Sequence, residues 1–189
     1  MKSCTSCKSG VLEPGFIEAR LNVHTCSFCR GNWILIEDFL AWKRQNPDYQ
    51  FSDNLDMETL SEVAAEDTKR AILCPIAGVI MQKIRIQAGS EHRLDYSPAV
   101  GGIWLDKGEW ELLKTEGLAG SLNFLVTHEW QMQIRESKAQ ETFSEIYRSK
   151  FGNELYSKMK EVREWLYSQE HKADILAYLN AEDPYSAKR

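Results

Sequence analysis

Apolar positions follow different rules in different parts of the chain. Near the start, Phe16, Ile17, Leu21 and Val23 flank the turn signals of a short hairpin punctuated by Pro14-Gly15, and they predict strands. From Ile36 to Gln45 the pattern becomes helical, with Phe39, Leu40 and Trp42 on the buried side and Pro47 as the stop. Residues 71–106 return to strand-like runs, and a second short helix opens at Gly108 and runs to Lys114. After Ser121 helical spacing takes over. Phe143, Ile146, Tyr147 and Phe151 form one stripe, Gly152-Asn153 breaks it, and Leu155, Met159, Val162 and Leu166 form the next. A last helix carries Ile175, Leu176, Tyr178 and Leu179 and ends before Asp183-Pro184. The stripes are expected to pack on the rest of the chain or on each other.

The two strand-rich regions share more than their period. Gly31-Asn32-Trp33-Ile34-Leu35 matches Gly102-Ile103-Trp104-Leu105-Asp106 at an offset of seventy-one, and Cys4-Thr5-Ser6-Cys7 matches Cys74-Pro75-Ile76-Ala77 at an offset of seventy. Gly10-Val11-Leu12 and Gly78-Val79-Ile80-Met81 follow their respective turns. Such a period reads as two copies of one small unit, with Trp33 and Trp104 as their apolar anchors.

The copies differ in chemistry. The first holds two C-x2-C pairs, Cys4/Cys7 and Cys26/Cys29, with eighteen residues between them. That spacing brings four thiolates onto one tetrahedral ion and leaves no open coordination position, so it predicts one structural zinc per chain. Iron suits the same sulfur set and is the rival metal, as in a rubredoxin-like electron carrier. His24 lies two residues before Cys26, but the cysteines already complete the sphere. The second copy has Cys74, Ala77, Ser97 and Val100 at the ligand positions. It is expected to fold without metal through Ile76, Val79, Ile84, Ile86, Leu94, Val100, Ile103, Trp104 and Leu105, with Cys74 a buried, inert thiol. His92, His128 and His171 stand isolated, and Asp106 and Glu109 read as acids that favour a helix start.

Gly101-Gly102-Ile103-Trp104-Leu105-Asp106-Lys107-Gly108-Glu109, taken with the two C-x2-C pairs, resembles the transcription factor IIB-type zinc-ribbon family of small bacterial proteins. Its hallmark is a C-P-x-C turn, a hairpin, a second C-P-x-C and a G-G-x-W-L-D-x-G-E ending. The resemblance covers residues 1–45 and 71–116, and it implies a zinc-binding module. The better-matching tail belongs to the copy without ligands, whereas the first copy has the looser Arg30-Gly31-Asn32-Trp33-Ile34-Leu35.

Composition is that of a globular chain, 43% hydrophobic and 27% charged, with a net charge of −5. The expected fold is α+β: two zinc-ribbon-like β modules, the first zincated and the second metal-free, plus a helical C-terminal region. The expected divisions are a ribbon with a short helix at 1–46, an acidic connector at 47–70 that turns helical from about Met57, a degenerate ribbon with a short helix at 71–117, and helices over 118–189. No segment is strongly basic, with 23 Lys and Arg against 28 Asp and Glu over the chain, and that argues against autonomous nucleic-acid binding, which needs clustered cations. That reading survives only if Lys2, Lys8, Arg20, Arg30, Lys43 and Arg44 gather on one face. Met1-Lys2-Ser3-Cys4 carries no apolar leader, no stretch is long enough to span a bilayer, and the paired cysteines suit a reducing compartment, so a cytoplasmic location is expected. With no phosphate loop and no nucleophile–base arrangement, the expected function is a non-enzymatic zinc-binding interaction protein that contacts a protein partner, as an adaptor or regulator connected with transcription.

Overall fold

The computed structural model describes residues 2–18, 20–50 and 65–185. The helix expected from about Met57, and the acids Asp53, Asp56, Glu58 and Glu62 of the connector, lie outside the described residues. The chain divides into two compact units, Met1–Lys138 and Ala139–Arg189.

The first unit is built on one antiparallel sheet of seven strands. They are β1 (Lys2–Ser3), β2 (Val11–Ile17), β3 (Leu21–Cys26), β4 (Asn32–Leu35), β5 (Gln82–Arg85), β6 (Arg93–Ser97) and β7 (Gly102–Leu105), in the spatial order β1-β2-β3-β4-β7-β6-β5. The order reverses at the β4–β7 pair, where Trp33 lies opposite Trp104, flanked by Asn32 opposite Leu105 and Ile34 opposite Ile103. The sheet therefore has a local two-fold axis running through the tryptophan pair.

Other features obey the same axis. Cross-strand rows extend outward as Trp33–His24–Pro14 on one side and Trp104–Asp95–Lys83 on the other. Ser3 pairs with Val11, and Leu73 bridges to Ile80. The Cys4 N–H donates to the Gly10 carbonyl at 2.9 Å and the Cys74 N–H to the Val79 carbonyl at 2.8 Å. Lys8 and Gly78 both take positive φ, as do Arg30 and Gly101. The hairpin register departs from the expected alignment of Gly10 with Gly78. In the second half the turn after the first knuckle is one residue shorter, so Val79 takes the place of Gly10. The hairpin itself is two residues longer, with Gln82–Tyr96 standing where Glu13–Thr25 stands in the first half.

One face of the sheet buries Leu21, Val23, Ile34, Ile84, Leu94, Ile103 and Leu105 beneath the helices α1 (Ile36–Gln45), α2 (Glu109–Thr115) and α3 (Leu122–Leu125). Phe39 and Trp42 of α1, and Trp110 and Leu113 of α2, are the inward residues. Fully burying side chains of this size contributes about 1.5–3 kcal/mol each. The opposite face carries Leu12, Met81, Trp33, Trp104, Ile72 and the cysteines Cys4, Cys26 and Cys74. The outer edge at β5 is capped by the start of α4 (His128–Phe151). Gln131 accepts the Arg85 N–H at 3.1 Å and donates to the Arg85 carbonyl at 2.8 Å, so the edge does not offer that strand's free groups for pairing.

The second unit is helical, with the later part of α4, α5 (Asn153–Tyr167) and α6 (Lys172–Asn180). Gly152, at φ 78°, makes the break between α4 and α5 that the sequence predicts. Tyr147 stacks on Phe151 and on Tyr156. The apolar stripes differ from expectation: Phe143, Ile146, Leu155, Met159 and Val162 remain exposed, while Leu166 is buried. No described helix is long and apolar enough to cross a membrane.

Candidate metal centre

Cys4 and Cys7 sit on the turn between β1 and β2, and Cys26 and Cys29 on the turn between β3 and β4. Adjacent pairing of β1–β2 and β3–β4 brings the two turns together. All four Sγ atoms lie within 4.8 Å of one another. Cys4 and Cys29 are 3.8 Å apart and Cys7 and Cys26 are 3.6 Å apart. Those separations are far beyond an S–S bond of about 2.05 Å, and the thiols are free. They match the edge of a tetrahedron whose centre lies about 2.3 Å from each sulfur, an edge of about 3.8 Å. The donor set therefore fits a tetrahedral thiolate metal.

The backbone is arranged for thiolates as well. The Cys7 N–H points at Cys4 Sγ at 3.5 Å, and the Phe28 and Cys29 N–H groups both point at Cys26 Sγ at 3.4 Å. Such donors orient metal-bound sulfur and disperse its charge. Lys8 and Arg30, each directly after the second cysteine of its pair, take positive φ. Gly10 is needed beside them: a Cβ there would stand 2.4 Å from Cys26 Sγ. Without an ion the thiols crowd one another. Burial raises Cys4 to about 11 and raises Cys29 further. Burial also works against the Cys7 thiolate, but N–H donors from Ser9 and Gly10 and the neighbouring thiols outweigh it and bring Cys7 down to about 6.

His24 lies on β3 opposite Trp33, outside the sulfur cluster. In the second half the knuckle survives without its ligands. Cys74 is buried, and the Ala77 N–H still points at its Sγ at 3.3 Å. Ser97 is buried with its Oγ unpartnered, at the position corresponding to Cys26.

The second half has a polar network that the sequence suggests only in outline. Asp106 accepts from Trp104 Nε1 at 2.7 Å and from the Thr68 N–H at 2.7 Å. Glu109 turns back to accept the Asp106 N–H at 2.7 Å, as acids do at helix starts. Only Glu109 folds back at the helix start; no side chain caps the helix, and the Asp106 carboxylate, expected to act there, is instead held by Trp104, Thr68 and Ser6. The sequence does not disclose that Glu109 also meets His92 Nε2 at 2.6 Å, so His92 is not isolated. His128 opens α4, and His171 Nδ1 lies 4.0 Å from exposed Asp174. Nothing in the sequence singles out Glu18, yet its carboxylate receives Trp110 Nε1 at 2.6 Å, Lys114 Nζ at 3.0 Å and the Tyr49 hydroxyl. Lys43, one of the scattered cations, donates to the Gly120 carbonyl at 2.6 Å and so has a structural use.

Burial raises Glu109 from 4.5 to about 7, and its hydrogen bond to Glu109 raises His92. A group with a raised folded-state pKa holds its proton more tightly when folded. Both groups therefore lose their stabilising contribution as pH climbs, Glu109 between 4.5 and about 7 and His92 above 6.5. Replacement Glu109→Gln should flatten the fall in Tm across that window relative to the parent, both metal-loaded. An unchanged difference in Tm at every pH would show that the pair does not titrate.

Comparison of the chain with protein-family models, with curated proteins and with solved structures returns no match.

Proposed function

We propose that this chain is a non-enzymatic zinc-binding interaction protein. The observation that carries the reading is the closed four-sulfur cluster: a zinc ion there would have its coordination filled by protein and no position for substrate. Zinc is preferred to iron because the resemblance to the zinc-ribbon family points to zinc, and a rubredoxin-like carrier would not call for the helical C-terminal region. The local two-fold about Trp33 and Trp104 supports descent of the two halves from one duplicated ribbon, with the second having exchanged metal for packing. Resemblance to the transcription factor IIB-type ribbon family extends the reading to an adaptor connected with transcription in the cytoplasm. Exposed apolar stripes on α4 and α5 support a protein partner.

The test has two readouts. Elemental analysis should give one zinc per chain. Affinity capture from a native extract should retain a partner with the intact chain and lose it with the Cys4→Ser/Cys7→Ser variant. Two equivalents of metal, stoichiometric iron, or partner capture indifferent to the cysteines would each count against the proposal.

A further inference from the structure

Each central tryptophan forms the floor of a groove on the metal-bearing face of the sheet, and the local two-fold relates the two grooves. Lys83, Asp95 and Trp104 make one row, Pro14, His24 and Trp33 the other. Each groove borders the first knuckle of the opposite half, Ser6 in one case and Pro75-Ile76 in the other.

The Trp104 groove is filled by the chain itself. Segment 66–70 runs irregularly across it. The Glu66 N–H reaches the Lys107 carbonyl at 3.0 Å, the Thr68 N–H reaches Asp106, and the Thr68 carbonyl accepts Lys83 Nζ. Thr68 Oγ1 lies 3.5 Å from Ser6 Oγ, and Arg70 donates to the Ser6 carbonyl.

Among the described residues, none fills the Trp33 groove. Lys2, Leu12, Pro14, His24, Trp33, Pro75 and Ile76 surround a cavity of about 290 Å³. Trp33 is 2% exposed, and its Nε1 has no hydrogen-bond partner among the described residues, whereas Trp104 Nε1 is held by Asp106. The reason lies two residues beyond each tryptophan, where Asp106 in one half is Leu35 in the other. The two indoles have the same orientation under the two-fold. Trp104 Cζ2 and Cε2 lie over Gly31, and Trp33 Cζ2 and Cε2 lie over Gly102. Trp33 Nε1 is accordingly directed toward the Pro75-Ile76 side, as Trp104 Nε1 is directed toward Ser6 and Asp106. The walls offer donors, Lys2 and His24, and no carboxylate. A buried donor without an acceptor is costly, and a ligand that supplies one recovers that cost.

We infer that the Trp33 groove docks an extended acidic segment of a partner protein, laid as residues 66–70 are laid in the related groove. A ligand carboxylate takes the place of Asp106, accepting from Trp33 Nε1 beside Lys2 and His24 as Ile76 turns aside. An adjacent apolar side chain of the ligand packs on Leu12, Pro14 and Pro75. This deepens the adaptor reading by naming one contact site and the chemistry of what fills it, and it rests on that reading.

The probe is a random-peptide display library panned on the metal-loaded full-length chain, followed by synthesis of the enriched peptides. The result expected is a motif with Asp or Glu beside an apolar residue. Its peptide should shift the Trp33 indole N–H resonance, assigned by a Trp33→Phe variant. Affinity should fall at least about tenfold on changing the peptide's acid to its amide, consistent with loss of a charge-assisted hydrogen bond. Ile76→Glu places a like charge at an exposed wall residue (44% exposed) and should also weaken binding without altering the circular dichroism. Lys2→Glu should weaken it too. Absence of enrichment, a motif without acids, or affinity untouched by Ile76→Glu overturns the inference. Concentration-dependent dimerisation abolished by Ile76→Glu would assign the groove to a second copy and also overturn it. If Ile76→Glu still captures the cellular partner, the groove assignment fails while the adaptor reading stands.

Discussion

Replacing Cys29 by serine should lower the melting temperature by roughly 10 °C and abolish stoichiometric zinc. The four sulfurs are assembled by two turns with little else to hold them. Structural zinc contributes about 10–16 kcal/mol of apparent binding free energy in small zinc modules. Losing even a third of that shifts Tm by about this amount in a chain of this size. The loss should be local at first. Hydrogen exchange should show the amides of β2 and β3 losing protection before those of β5 and β6, whose half contains no four-sulfur set. Cys74→Ala is the matched control: it should leave one equivalent of zinc bound. A Cys29→Ser protein that keeps its metal and its Tm would remove the structural role assigned to the site.

Gly102→Ala should destabilise the fold by about 3 kcal/mol, the upper end of the usual overpacking cost. An added Cβ would stand 2.0 Å from Cζ2 and 2.3 Å from Cη2 of Trp33. The indole is almost fully buried and lies at the centre of the sheet, so neither partner can withdraw cheaply. Gly31→Ala should behave alike, because its Cβ would meet Trp104 Cζ2 at 2.3 Å. Denaturant unfolding of Gly102→Ala, Trp33→Leu and the double variant tests the contact. The double variant should be more stable than the sum of the single losses predicts, since a smaller side chain leaves room for the methyl. Simple additivity would show that the glycine matters for another reason.

The most readable part of the sequence was the part that is chemically local. Four cysteines at C-x2-C spacing identify the cluster, Pro47 and Gly152 mark helix ends, and the Gly-x-Trp repeats pick out the two tryptophans that meet at the centre of the sheet. The rest depends on distant partners. Nothing near Trp33 or Trp104 announces that they face one another and join both halves in one sheet. The register of the second hairpin was obscured because a one-residue shortening and a two-residue lengthening nearly cancel, while the matching glycines at 10 and 78 suggest a simpler alignment. Glu18 resembles any turn acid until Tyr49, Trp110 and Lys114 converge on it from later in the chain. His92 likewise looked ordinary because its partner, Glu109, is seventeen residues away across a strand pair.

The β4–β7 seam also makes metal supply a question of protein quality control. These strands meet only because the four-cysteine half supplies β4. If that half opens when metal is scarce, β7 is left with a bare flank carrying Ile103, Trp104 and Leu105, a short apolar template for pairing with other chains. Starved of zinc, the molecule would then lose more than a binding surface: it would become a substrate for chaperones, proteases and aggregates.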